Sequence, residues 1–472
     1  MHFRTIAEHA AALRTGEYSS VELTRALLER IDKLEPRLNA FSALCPERAL
    51  SEAERADAQR RAGTDLCILH GIPYAAKDLI DVEGMPTAAG ASFLADNVRP
   101  RDATVIRRLA DAGMVLLGKT NVVQLAYGGI GINHDIGTPH NPWHERPHLP
   151  GGSSGGSAVS IAGGLVPMAL GSDTGGSVRM PSTYCGVTGL KTTVGQISRA
   201  DVFALAWSFD SIGPLARSAE DAAHVYESLQ GASPDDAATA GRPRHDVCSL
   251  LNEGVRAMRV AFATGPGFDS STAEAVNAVQ AAGAVLRDLG AEVEDVDLPE
   301  IRRAFESEAL RRIMGAQSWI ANREIYEKHH DEMDPIVADR LAMGRDITSE
   351  QYLLLQREMV RLRNEIEPAM SGIDALLMPT TVGAAAPVEE VDATLDSYFE
   401  FNLAAVRNCH VGNLLNLCAV SVPCGFGGNG LPLGMMIYAL PFREEIVLRL
   451  AHAYQKATDW HRITPDLTWA ET

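Results

Sequence analysis

Lys77, Ser153, Ser154 and Ser177 are the residues whose types and settings could do chemistry, and that chemistry is attack on a carbonyl carbon. Lys77 lies in GIPYAAKDLIDVEG, the serine pair in PGGSSGGSA and Ser177 in LGSDTGGSVRMPS. Glycine has no Cβ, so it allows φ > 0 and lets backbone amides approach a ligand closely. A hydroxyl among such amides is supplied with donors for the oxyanion that forms when serine attacks an acyl group. Attack also needs a base, and an uncharged amine can serve. Lysine in water titrates near ~10.4, so about one in 2,500 is neutral at pH 7. Bringing it down to about 7 costs roughly 4 kcal/mol, which burial on an apolar strand can supply by disfavouring the ammonium. Lys119 and Lys191 follow glycine-containing turns, and the residues alone leave the base role open among the three lysines.

Residues 151–155 and 152–156 are overlapping G-x-S-x-G matches, which alone would suggest a nucleophile elbow with Asp and His downstream. The glycine run also invites a phosphate-loop reading, but no Lys-Ser or Lys-Thr follows at the required spacing. A flexible glycine loop is the plain alternative. The downstream Asp173-Thr174-Gly175-Gly176-Ser177 run is more specific, because it follows the apolar LVPMALG and precedes a helix start. Successive amides at a Gly-Gly turn form a concave anion site. Ser177 is therefore the expected nucleophile, and the amides of Thr174, Gly175, Gly176 and Ser177 the expected oxyanion hole. Asp173 and Arg179 could pair and stiffen this loop; a solvated Arg179 is the other reading. Ser154 is read as shaping the turn.

His134, His140, His144 and His148 cluster in sequence, yet Pro139, Pro142, Pro147 and Pro150 forbid a continuous helix that would put the last three on one face. No metal is expected there. Cys185 reads as a small buried hydrophobe. Cys409-His410 hints at a thiol hydrolase, but nothing glycine-rich precedes it.

These groups need a rigid frame. SSVELTRALLERIDKL has helical spacing, with Ser19 and Glu22 as a capping box. Further helices are expected over 46–62, from an Asp102 cap through ATVIRRLADAG, over 218–229 and over 272–289. IPYAAKDLIDV, MVLLGKTN, AEVEDVDL, ALLMPTT, CAVSVPCG and LPLGMMIYA read as strands, and REEIVLRLAHAYQKATDW as a closing helix. The alternation predicts a mainly parallel or mixed sheet with helices on both faces. Residues 300–373 break it with several helices and no strand, which predicts an inserted helical cover.

The chain has 472 residues; 42 Lys and Arg against 61 Asp and Glu give a formal charge of −19. Such acidity suits polyanions poorly, so binding RNA would require a separate basic subunit. Seven scattered cysteines without a CxxC pair imply reduced thiols and a cytoplasmic setting. The N-terminus does not resemble a signal peptide, and no run approaches the ~20 apolar residues that span a bilayer.

GGSSGGSAVSIAGGLVPMALGSDTGGSVRMPSTYCGVTGLKTT, with GIPYAAKD, GKTNV, NPW and SFDSIGPLARSAEDAA around it, resembles the amidase signature family. The likeness resumes in GLPLGMMI near the C-terminus. It implies a catalytic lysine, a serine in a cis peptide and a nucleophilic serine, which fall motif to motif on Lys77, Ser153 and Ser177. It implies one domain over 1–472, a single α/β/α sandwich around a large twisted mixed sheet, with 300–373 a helical insertion covering the active site. Tyr127 falls where the resemblance implies an acyl-pocket wall, an ordinary core tyrosine being the other reading. The implied activity is hydrolysis of a C–N bond in a small amide, carbamate or urea-type substrate through an acyl-enzyme, with esterase side activity. The alternative in the family is the glutamine-hydrolysing A subunit of an aminoacyl-tRNA amidotransferase. GSDTGGS and ISRADVFALAWSFDSIGPLARS favour that branch, whereas Met180 stands where it would carry glutamine. No cofactor is implied; the expected partner is a small-molecule amide, without direct nucleic acid or membrane contact, and a homodimer is left open. A non-catalytic scaffold is the reading from another class, and the joint presence of Lys77, Ser153 and Ser177 speaks against it.

Overall fold

Apolar runs bounded by glycine, proline or polar turns become strands, and eleven of them join one sheet. In the computed structural model, which describes residues 1–471, these are β1 (Phe41–Leu44), β2 (Pro73–Lys77), β3 (Val115–Thr120), β4 (Met168–Asp173), β5 (Thr188–Lys191), β6 (Ser211–Ala216), β7 (Arg259–Ala263), β8 (Glu292–Val296), β9 (Ala375–Pro379), β10 (Cys418–Phe426) and β11 (Pro432–Ala439). Their order is β1-β3-β2-β4-β6-β5-β10-β11-β9-β7-β8. β2 runs parallel to β3 and β4, and β7 runs parallel to β8 and β9. The remaining neighbours are antiparallel. The sheet is thus mixed, as the sequence implied. Sites in such sheets form outside the carboxyl ends of parallel strands. Here β2 ends on Lys77 and β4 on Asp173.

Alternation along the strands sends their side chains into two cores. Val260, Leu377, Met435 and Ile437 pack into one, which includes the helices Ala219–Leu229, Ala273–Asp288 and Glu444–Lys456. Ala261, Leu376, Met378, Met436 and Tyr438 face the other. That second core is completed by helices Pro299–Glu306, Ala309–His329, Pro335–Arg345 and Ser349–Ala369, a strandless stretch between β8 and β9. Every residue of β2, β3, β4, β6, β9 and β11 is buried. Edge strand β8 instead leaves Glu292, Glu294 and Asp295 exposed. Charges on an open edge discourage pairing with another chain.

Local signals set several helix ends. Ser19 accepts the Glu22 amide and Glu22 accepts the Ser19 amide, which closes the expected box on helix Ser20–Leu38. Ser218 and Thr272 cap their helices by accepting the amides of Asp221 and Ala275, without the reciprocal bond. Asp102 does not cap. Helix Thr104–Asp111 starts from Ala103 without a side-chain cap, because both Asp102 oxygens take a bidentate pair from Arg48, at 3.1 and 2.8 Å. Asp102 Oδ1 also accepts the Glu83 amide at 2.8 Å, so the carboxylate is turned toward Arg48 and Glu83 and away from the helix. The 20-residue helix Leu395–Leu414 lies in a stretch for which the sequence patterns predict no element. Among the described residues, no helix is long and apolar enough to cross a membrane.

Candidate active site

Parallel pairing of β2 with β4 brings Lys77 beside Ser172. The Lys77 amine is fully buried and lies 2.7 Å from Ser153 Oγ and 2.9 Å from Ser172 Oγ. Burial brings its pKa down to about 7, against the opposing pull of the Asp173 and Asp210 carboxylates. Desolvation disfavours the charged form, so near neutrality much of this amine is unprotonated and can accept a proton. The rival lysines are engaged elsewhere. Lys119 forms a buried ion pair with Asp78 at 2.7 Å, and Lys191 donates to the Thr192 and Leu417 carbonyls. Neither touches a serine hydroxyl.

The Gly152–Ser153 peptide is cis, and helix Gly155–Ala162 begins directly after the serine pair. Ser154 donates to the Ser172 carbonyl at 3.3 Å, and its amide donates to the Ser177 carbonyl. It fastens the two serine loops to each other, in keeping with a structural role. Gly151 has φ +72°, and a Cβ there would come within 2.7 Å of Pro181 Cα. The loop can approach so closely because that position has no side chain.

Asp173 organises the Ser177 loop. Its carboxylate accepts the amides of Gly176 and Val178, two nitrogens of Arg179 and the Asn413 side-chain amide. Arg179 is fully buried rather than solvated, and also donates to Tyr438 Oη at 2.7 Å and Asn413 Oδ1 at 2.6 Å. Arg179 beside it holds the Asp173 carboxyl far below the usual carboxylate range despite burial. One expectation is corrected here: the Gly176 amide is spent on Asp173 Oδ1 at 2.9 Å, so it leaves the set of free donors. The amides of Thr174, Gly175 and Ser177 have no acceptor among the described residues. Gly176 itself has φ +125°, and a Cβ there would lie 2.6 Å from Cys409 Cβ.

Ser177 is 8% exposed, and its hydroxyl has no hydrogen-bond partner among the described residues, so the link to Ser153 that a relay requires is not made here. It faces a pocket of about 510 Å³ bounded by Tyr127, Gly175, Met314, Arg340 and His410. Tyr127 therefore lies in a pocket wall; Arg340 donates to its carbonyl at 2.8 Å and sits 4.3 Å above its ring. A wider cleft of about 1430 Å³ shares Tyr127, Arg311, Arg340, Asn402 and Leu403 with this pocket. Thr174 is braced from the cover: its hydroxyl donates to Asp210, whose loop is held at Ser208 by Gln317.

Sequence reasoning missed Ser172 and Asn413 as parts of this site, and set His410 aside after weighing Cys409-His410 only as a thiol-hydrolase pair. Ser172 was legible in principle, as a polar residue ending an apolar strand beside Asp173. The histidines between 134 and 148 disperse instead. His134 pairs with Asp334 and Asp392, while His140 and His148 bond to backbone carbonyls.

A family model described as Amidase matches residues 22–448. The chain is 36% identical to the A subunit of a glutamyl-tRNA(Gln) amidotransferase from Chloroflexus aggregans, across 100% of this chain and 99% of that one. Among solved structures it resembles native peptide amidase from Stenotrophomonas maltophilia, with TM-score 0.84, 31% identity and 96% of each chain covered. A 6-aminohexanoate cyclic dimer hydrolase complexed with substrate matches with TM-score 0.89, 26% identity and 99% of each chain covered.

Proposed function

This chain belongs to the amidase family, hydrolases of carbon–nitrogen bonds, and on that premise we propose that it cleaves a small amide, carbamate or urea-type substrate through an acyl-enzyme on Ser177. The observation that carries the reading is the buried, largely uncharged Lys77 amine on Ser153, below a pocket that the Ser177 hydroxyl faces. Substrate binding closes the Ser153–Ser177 link. Ser177 Oγ then bonds to the carbonyl carbon as its proton passes to Ser153 and the Ser153 proton passes to Lys77. The oxyanion collects hydrogen bonds from the amides of Thr174, Gly175 and Ser177. The proton returns through Ser153 to the departing nitrogen, the C–N bond breaks, and water attacking by the same route releases the acid. The cover helices over 300–373, as part of one domain with the sheet, supply the substrate-facing side of this pocket.

A second reading is favoured by one specific observation, the 36% identity to an amidotransferase A subunit over the whole chain. There glutamine would be the amide, and the ammonia released would serve a partner. Labelling with a fluorophosphonate and locating the adduct by mass spectrometry tests the shared mechanism: the expected adduct is on Ser177, and none, or one elsewhere, overturns it. Hydrolysis of anilides or carbamates by the isolated chain supports the first reading. Glutamine hydrolysis that begins only once partner subunits are added supports the second.

A further inference from the structure

Helix Leu395–Leu414 helps bound the pocket, and one face of it meets Gly129 and the Asp173–Ser177 loop. Asn402 accepts the Gly129 amide at 2.8 Å, Cys409 closes on Gly176, and Asn413 pairs with Asp173 and Arg179. Asn402 and His410 are the polar members of this face that bound the pocket, and Asn402 already holds the Gly129 amide. His410 Nε2 lies 3.1 Å from where a Cβ on Gly175 would stand, so the ring covers the turn that supplies the Gly175 amide.

Neither ring nitrogen of His410 has a hydrogen-bond partner among the described residues. His134, His140 and His148, by contrast, all have partners. A polar ring placed in a pocket without a partner leaves one donor and one acceptor for whatever enters. Burial, helped by Arg179, Arg340 and Arg311 and opposed by Asp173, lowers its pKa to about 3, so the ring is neutral throughout the working range. The leaving nitrogen must face Ser153, from which it takes its proton. His410 bounds the Ser177 pocket together with Met314, Arg311 and Tyr127, and Ser153 is not among the residues that bound it.

We propose that His410 contacts the acyl part of the substrate and selects acyl groups bearing a hydrogen-bonding atom, such as a hydroxyl, amine or carbonyl, one or two bonds from the scissile carbonyl. The inference rests on the acyl-enzyme reading and adds to it the class of acyl group.

Two p-nitrophenyl esters with a common leaving group test it, one of propionate and one of 2-hydroxypropionate. His410→Ala is expected to lose roughly 3- to 10-fold in kcat/KM on the hydroxylated ester, the scale of one neutral hydrogen bond. What the test reads is the ratio of kcat/KM on the two esters, which should fall by that factor whatever the loss on the propionate. His410→Gln, which can donate and accept, should restore most of the loss, and His410→Phe, of similar shape, should not. The deficit should be flat from pH 5 to 9. Equal losses on both esters, no loss, or a wild-type preference confined to the leaving group would overturn the inference. Fluorophosphonate labelling of Ser177 in each variant separates the outcomes. Variants that label at the wild-type rate and hydrolyse the propionate leave the acyl-enzyme reading standing even where the selectivity result goes against His410. If His410→Ala labels poorly, the Gln and Phe variants decide.

Discussion

The two sides of the pocket are built differently. On the Lys77 side almost every polar atom is buried and has a partner: Lys77 on two serine hydroxyls, Asp173 with five donors, Arg179 on Asp173, Tyr438 and Asn413. On the cover side, Met343 and Leu403 are exposed along the cleft, Ile320 and Leu353 are exposed away from it, and the His410 ring stands without a partner in the pocket. Apart from the Ser177 hydroxyl and the amides of Thr174, Gly175 and Ser177, the first region is held by its own hydrogen bonds. The second leaves groups free, which suits recognition of a ligand. Low dielectric makes the satisfied network strong and makes any break in it costly.

That contrast can be broken by mutation, most severely at the base. Lys77→Ala should cost about 10²- to 10⁴-fold in kcat/KM at pH 7, as for loss of a general base. Because the amine must be neutral to accept a proton, wild-type kcat/KM should climb as pH rises through about 7 and then level. The variant, which relies on hydroxide, should regain ground above that, and pH–rate profiles of both check this. A variant equal to wild type at pH 7 would remove Lys77 from the mechanism.

Next in size is Arg179→Met, which leaves Asp173 buried without its cation. Removing one partner of a buried pair costs about 3–5 kcal/mol. Urea denaturation should show a loss of that order, with activity falling as the Ser177 loop loosens. Ser172→Ala removes one of two hydroxyl contacts on the Lys77 amine. A net hydrogen bond is worth about 1 kcal/mol, so a several-fold fall in kcat with little change in KM is expected. A change confined to KM would place Ser172 outside the network. Leu353→Ser, on the exposed face of the cover, should move stability by no more than about 0.5 kcal/mol in the same denaturation assay. A large effect there would mean that this face is covered in solution, and would sharpen the division just drawn.

Much of the Lys77 side was legible in the chain. Ser19 and Glu22, the GIPYAAKD strand and the two glycine–serine loops all act over short stretches, where spacing and absent side chains set the backbone. Choosing Lys77 over Lys119 and Lys191 was not possible from such patterns alone. Asp78 and the Leu417 carbonyl claim the other two amines, and Leu417 lies far along the chain from Lys191. The Gly176 amide shows the same limit: a Gly-Gly turn predicts donors, but a carboxylate three residues back had already taken one.

By itself the sequence determined which groups could react and the loops that carry them, because hydroxyls, an amine and glycines have chemistry and φ ranges that need no distant partner. The tertiary structure alone decided which of three buried amines stands on a serine hydroxyl and which are claimed by a carboxylate or by carbonyls. It also decided that Ser172 stands beside the Lys77 amine and that His410, from a helix more than 200 residues away, closes the pocket. Burial and proximity belong to segments remote in the chain, and no local pattern encodes how deeply a side chain will be covered.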